Sequence, residues 1–326
     1  AAMALQADFR VVTTGTPIEN HLGELWNLFH FINPGLLGSL KKFNEHYAQA
    51  IENNKDHAAQ QRLKKLLRPF ILRRLKSDVL KELPSRTEIT LHVELSKEER
   101  TFYEAMRRNA MQAMQDALKE GQQAGQQHLK ILAEIMKLRR ACCHPKLVME
   151  DSPLSSAKLQ AFEELVDELI GGRHKALVFS QFVGHLHIIR DLLDKKGINY
   201  QYLDGSTSIP KRKKSVTAFQ GGDGDVFLIS LKAGGSGLNL TAADYVIHMD
   251  PWNPAVEDQA SDRAHRMGQT RPVTIYRLVA KDTIEDKIVD LHAHKRDLAS
   301  SLLEGGEVSG KMSVGDMMAL IKETEE

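Results

Sequence analysis

Three side chains in the C-terminal third are suited to gripping a phosphate chain. In DQASDRAHRMGQ, from Asp258 to Gln269, Gln259, Arg263 and Arg266 stand at i, i+4 and i+7. If the run is helical, they share one face. A guanidinium offers planar, forked donors and stays charged at any working pH. Arginines placed this way can stabilise charge that develops in phosphoryl transfer. The same spacing also suits a solvated amphipathic helix laced by Asp262 and Arg266. Upstream, SLKAGGSG from Ser230 to Gly237 follows an apolar run. There Gly234, Gly235 and Gly237, beside Lys232 and Ala233, expose backbone N–H groups and admit an anion closely, or simply form a flexible turn. Ser180 and Gln181 end another apolar run and offer groups that position phosphates without reading sequence. Ser180 could equally cap the helix that follows. Trp252, between Pro251 and Asn253, can stack on or wedge against bases, or pack a junction.

Other chemistries find less support. Cys142, Cys143 and His144 are adjacent, whereas zinc takes about four ligands, commonly from split pairs, and no second pair exists. They read as packing, and no metal site is expected. No G-x-S-x-G elbow supports a serine hydrolase. The basic run Lys211, Arg212, Lys213 and Lys214 reads first as a solvated helix face. Net charge is only +1 over 326 residues, so any nucleic-acid contact must be local. Two cysteines fit a reducing, cytoplasmic setting, and no apolar run is long enough to span a bilayer.

The elements that must position these residues are legible in part. FRVVTT, Phe9 to Thr14, reads as a strand, and HLGELWNLFHFI as a helix stopped by Asn33, Pro34 and Gly35. From Leu36 to about Leu147 the text is mostly helical with little strand pattern. Ser96 and Glu99 make a capping box. Near Ser152 to Ser156 the composition shifts, which suggests a hinge or cut point. Beyond it, helices alternate with the apolar runs ALVF, INYQYL, DVFLIS, DYVIHM and TIYRLV. That alternation predicts an α/β fold, a mainly parallel sheet covered by helices on both faces, preceded by a helical region. Ser180, Asp204, Ser230 and Asp250 then gather at the carboxyl edge, where such sheets bind ligands.

TTGTPIEN, KALVFSQF, YLDGST, LKAGGSGLNLTAAD and DQASDRAHRMGQ, in this order, resemble the Swi/Snf-type family of ATP-dependent DNA translocases, with wording closest to its bacterial branch. The resemblance covers nearly the whole chain. It implies the end of a first RecA-like lobe at 1–35, a helical protrusion and inter-lobe region at 36–150, and a second RecA-like lobe at 151–326. It implies ATP between lobes, with Mg2+, and double-stranded DNA as a sequence-independent partner. Arg263 and Arg266 would be the catalytic fingers, with Gln259, Gly235 and Gly237 toward ATP. Ser180, Gln181, Lys232, Ala233, Gly234 and Trp252 would face DNA, while Thr14, Gly15 and Thr16 would relay nucleotide state. Relatives usually read DPWWNP where this chain reads DPWNP. No G-x-x-x-x-G-K-[ST] and no DEAH-like quartet occurs, so the chain is expected to be the back half of a motor, partnered by its own N-terminal lobe and inactive alone. A DNA- or protein-binding module without catalysis, or a strand-separating helicase, remain alternatives.

Overall fold

Apolar runs separated by helices assemble into one six-stranded sheet in the computed structural model of the chain. The structure describes residues 2–14, 21–52, 56–72, 74, 80–119, 124–233, 237–251, 253–290 and 321. Strands β1 (Arg86–Val93), β2 (Ala176–Ser180), β3 (Tyr200–Leu203), β4 (Val226–Ser230), β5 (Tyr245–His248) and β6 (Val273–Ala280) lie in the order β1-β6-β5-β2-β4-β3. Every pairing is parallel. The central strands β2 and β4 are buried along their whole length, so they read as unbroken apolar runs.

Ten helices are used below. Helices α1 (Leu22–Ile32), α2 (Leu40–Phe43), α3 (Gln49–Glu52) and α4 (His57–Leu67) lie in a first compact unit built on Ala1–Val79. Helices α5 (Lys97–Lys119), α6 (Ala124–Cys143), α7 (Ala157–Gly171), α8 (Val183–Lys196), α9 (Ile209–Gln220) and α10 (Pro254–Ser261) lie with the sheet in a second unit built on Leu80–Val289. The first unit packs Leu22, Leu25 and Phe29 of α1 against Phe43, Ile51, Leu63 and Leu67. In the second, alternate residues of each strand feed opposite cores. Leu177 and Phe179 join Phe219 of α9 and Ala260 of α10. Val178 and Leu228 join Phe162 of α7 and Leu186 and Ile189 of α8. Fully burying one such side chain contributes about 1.5–3 kcal/mol, so two cores hold the sheet. The helix-covered parallel sheet expected from the alternation is present.

Local signals account for most boundaries. The capping box is formed: Glu99 N–H donates to Ser96 Oγ at 3.2 Å and Ser96 N–H to Glu99 Oε2 at 3.1 Å. The same carboxylate accepts from Ala157 N–H at 2.9 Å, tying α5 to the start of α7. Gly197 ends α8 with φ of 66°, a left-handed cap that favours glycine.

Three expectations need correction. Residues 86–93 form β1, an edge strand paired with β6, although the region was expected to be helical. Ile89, Leu91 and Val93 do alternate, but charged and threonine neighbours hide the pattern, and only β6 supplies the ladder. Phe9 to Thr14 is not a strand, since no strand lies beside it among the described residues. The junction near Ser152 to Ser156 is only partly open: Pro153 and Ser155 are exposed between anchored serines. Ser152 and Ser156 are buried, and Ser156 Oγ donates to the Cys143 carbonyl at 2.9 Å.

Candidate active-site edge of the sheet

Because all strands run parallel, their carboxyl ends share one edge, and Ser180, Asp204, Ser230 and Asp250 all lie there. The chain leaves β2 toward β3 but leaves the adjacent β5 toward β6, in the opposite direction. The neighbouring ends of β2 and β5 thus form the switch point at which open parallel sheets bind ligands.

At the end of β2, Asp250 gathers a polar hub. It accepts a short hydrogen bond from Ser180 Oγ, a 2.9 Å bond from Gln181 N–H, and lies 3.8 Å from Arg139 NH2. Arg139, fully buried on α6, also donates to Gln181 Oε1 at 2.8 Å and to the Pro251 carbonyl at 3.0 Å, with its guanidinium over the Phe182 ring. Burial pushes the Asp250 carboxyl up to about 6, with Arg139, Ser180 and Gln181 pulling it back. Ser180 is itself fully buried, so it cannot offer its hydroxyl to a phosphate in this state. That corrects the direct contact expected of it: Ser180 orients Asp250 and Gln181. It does not cap α8 either; its Oγ accepts from Phe182 N–H, one residue before the helix. Gln181 is part-exposed.

The loop after β4 divides. Lys232 is exposed, while Ala233 is buried, with its carbonyl held by Arg212 NH1 at 3.1 Å. One member of the basic run is therefore a structural tie. Gly237 is exposed with φ of 51°. Gly234 and Gly235 lie outside the described residues, as do Trp252, Gly15 and Thr16. Thr14 is exposed in the first unit.

The arginine run departs from a continuous helix. Asn253 caps α10 by accepting from Ala255 N–H at 3.0 Å, Pro254 opens it, and the helix stops at Ser261. Gln259 is exposed on α10, whereas Arg263 and Arg266 lie in the turns beyond it. The single shared helix face is thus not formed. The turns are pinned by Gln269, whose Nε2 donates to the carbonyls of Thr241, Ala243 and Ala264, while its Oε1 accepts from Thr270 and Arg271 N–H. Arg266 is half-buried and donates to the Leu238 carbonyl at 3.0 Å. Arg263 is 4% exposed, its Nε has no hydrogen-bond partner, and among the described residues no carboxylate pairs with it. Burial, then the charge of Arg266, lowers its pKa. A buried cation beside a second cation is costly unless an anion completes it.

Cys142 and Cys143 are buried and free, and burial raises both thiols. His144 accepts from Lys146 N–H at 3.1 Å, capping a short turn. Cys143, His185 and Asp250 bring ligand-type atoms within 4.8 Å of one another. Lys158, buried and paired with Glu285, acts on all three electrostatically, and Arg139 acts on Asp250. This cluster already holds its cationic counter-charge, which disfavours a divalent ion. Arg139 and the Asp250 hub escaped sequence reasoning, because their partners lie far apart in the chain.

The SNF2-related domain model matches residues 1–147 and the helicase conserved C-terminal domain model matches 157–268. The chain belongs to the SNF2-related helicase family. It is 39% identical over 93% of its length to a Mycoplasma pneumoniae protein described as an uncharacterized ATP-dependent helicase, and 35% identical over 94% to an ISWI chromatin-remodeling complex ATPase of Arabidopsis thaliana. It spans 28% and 30% of those proteins. Among solved structures, the Sulfolobus solfataricus SWI2/SNF2 ATPase core domain matches with a TM-score of 0.62 at 33% identity, covering 96% of this chain and 65% of that one. The same archaeal core in complex with dsDNA matches with a TM-score of 0.57 at 34% identity, covering 90% and 62%. The SNF2-related chain has no described helix long and apolar enough to cross a membrane.

Proposed function

We propose that this chain is the C-terminal part of an ATP-dependent double-stranded DNA translocase, supplying arginine fingers and part of a DNA-backbone groove. The carrying observation is Arg263: a nearly buried guanidinium with an unpartnered Nε and no carboxylate partner among the described residues, in the turns that follow α10. Such a group fits the oxygens of a phosphate chain. ATP, when bound, supplies the phosphoanhydride bond that is cleaved. Arg263 and Arg266 meet charge developing on the transferred phosphoryl oxygens, Gln259 lies within the same segment, and Gly235 and Gly237 offer backbone N–H groups. No acidic quartet in this sequence suits Mg2+, which is assigned to the preceding lobe, outside this chain.

Gln181, Lys232, Ala233 and Gly234 are assigned to phosphates of duplex DNA, and Trp252 is assigned to the same partner. Such contacts position without reading bases. Thr14, Gly15 and Thr16 are assigned to relay between nucleotide and DNA. The functional division is 1–35 for the end of lobe one, 36–150 for the helical inter-lobe region, whose β1 enters the sheet, and 151–326 for lobe two. A cytoplasmic, nucleoid-associated placement accords with two unpaired cysteines and a DNA substrate.

The chain alone is expected to release no phosphate from ATP at saturating DNA; DNA-stimulated turnover by it would overturn the split-site reading. In the full-length protein, Arg266→Ala should cut DNA-stimulated turnover by about 10³–10⁵-fold while changing ATP affinity far less. Equal losses in both would make Arg266 a ground-state ligand.

A further inference from the structure

The turn that carries the two arginines also carries acids able to neutralise them. Asp262 immediately precedes Arg263 and stands four residues before Arg266, a spacing at which carboxylates and arginines pair readily. Asp258 lies one helical turn earlier on α10. Among the described residues neither acid forms an ion pair with Arg263 or Arg266, although the charge of Asp262 does act on Arg263. Both are turned to Arg86, the first residue of β1: its NH2 lies 2.7 Å from Asp258 Oδ1 and its NH1 3.5 Å from Asp262 Oδ1. The same NH2 is 2.6 Å from Glu88 Oε1.

The rest of this corner makes the arrangement rigid. Glu257 of α10 pairs with Arg277 of β6 at 2.7 Å, and Arg277 lies 3.6 Å from Glu88. Val273 N–H donates to the Ser85 carbonyl at 2.9 Å, and the His265 ring nitrogen meets the Pro84 carbonyl at 2.9 Å. The segment leading into β1 is therefore fixed to the arginine turn from both sides. A forked guanidinium can hold two carboxylates at once, which a lysine cannot do with the same geometry.

We propose that Arg86 is a positioning residue, which engages Asp258 and Asp262 so that Arg263 and Arg266 stay unpaired and available to an anionic phosphate chain. The proposal rests on the finger reading above. Without Arg86, Asp262 has two cations in reach, and a finger already bound to a carboxylate must lose it before meeting phosphate.

Steady-state DNA-stimulated ATP hydrolysis by the full-length protein tests this. Arg86→Ala should lower kcat by roughly 10- to 100-fold, the scale of a small misplacement of a catalytic group, with KM for ATP nearly unchanged. Adding Asp258→Asn and Asp262→Asn to Arg86→Ala should restore most of that loss, because the competing charges are gone. Arg86→Lys should fall between wild type and Arg86→Ala. An undiminished kcat in Arg86→Ala overturns the proposal. So does a loss, or a folding defect, that persists in the triple variant, which would mark Arg86 as a purely structural tie. Arg266→Ala measured alongside separates the two levels. If it leaves turnover intact, the finger reading falls and this proposal with it. If it abolishes turnover while the triple variant stays slow, only the role of Arg86 falls.

Discussion

Two places in the second unit treat buried charge in opposite ways. Around Asp250 the carboxylate itself is engaged: Ser180 and Gln181 donate to it, and buried Arg139 lies 3.8 Å away with its fork on Gln181 and the Pro251 carbonyl. Around Arg263 the guanidinium is nearly as enclosed, yet among the described residues no carboxylate forms an ion pair with it, and the larger charge acting on it is another arginine, with Asp262 opposing. A satisfied network holds structure together, and removing one member strands the others. An unsatisfied cation holds nothing together and is retained at a cost that a ligand can offset. On the proposed reading, the difference separates a hub that supports the fold from a turn that meets phosphate.

Crossed substitutions test that separation most severely. In the full-length protein Arg263→Ala should lower DNA-stimulated turnover by about 10³–10⁵-fold, as for a finger, while leaving the thermal midpoint unchanged or higher. Asp250→Ala should do the reverse in kind. It leaves Arg139 buried without its carboxylate, so stability should drop by about 3–5 kcal/mol in denaturant melts. If Arg263→Ala unfolds the protein, or Asp250→Ala leaves stability intact, the two sites do not differ as described.

Acid should weaken the supporting region. Burial depresses His185 to about 3 and His248 to about 4, from 6.5 in the unfolded chain. The folded state then binds fewer protons, so the stability these groups contribute is present above about 6.5 and is lost as pH falls toward their folded values. Each contributes about 1.4 kcal/mol per pH unit across that window. Asp250 opposes them: its pKa rises from 3.8 to about 6, so its contribution is present at low pH and lost as pH rises through about 6. Two histidines against one carboxylate leave a net loss on acidification from pH 6 to pH 5. Denaturant midpoints across that range should fall, and His185→Leu should reduce the slope by about one proton. A slope unchanged in His185→Leu would mean that His185 is not held neutral in the fold.

The smallest effect concerns the exposed side of the edge. Lys232→Ala should lower DNA affinity alike for unrelated duplexes and reduce the slope of log K against log salt by about 0.9. A loss confined to one sequence would make Lys232 a base reader and move it out of the backbone groove.

Much of this was open to reading in the chain. The buried strands β2 and β4, the capping box at Ser96 and Glu99, the Gly197 stop and the helix at Ile209–Gln220 are local features, set by side-chain period, caps and glycine conformation within a few residues. The family is likewise carried by short motifs in order. What the sequence alone could not settle depends on partners distant in the chain. β1 becomes a strand because β6 offers a ladder, roughly as a pair separated by the whole of the second unit must. Ser180 turns inward because Asp250 lies at the end of the neighbouring strand. Beyond Ser261 the chain leaves the helix, and the carbonyls of Arg263 and Ala264 accept instead from Leu240 N–H and Gln269 Nε2. Spacing fixed which residue types are available to meet phosphate; only the packing of β1, β6 and α10 decided which acids are engaged elsewhere and which arginine is left without a partner.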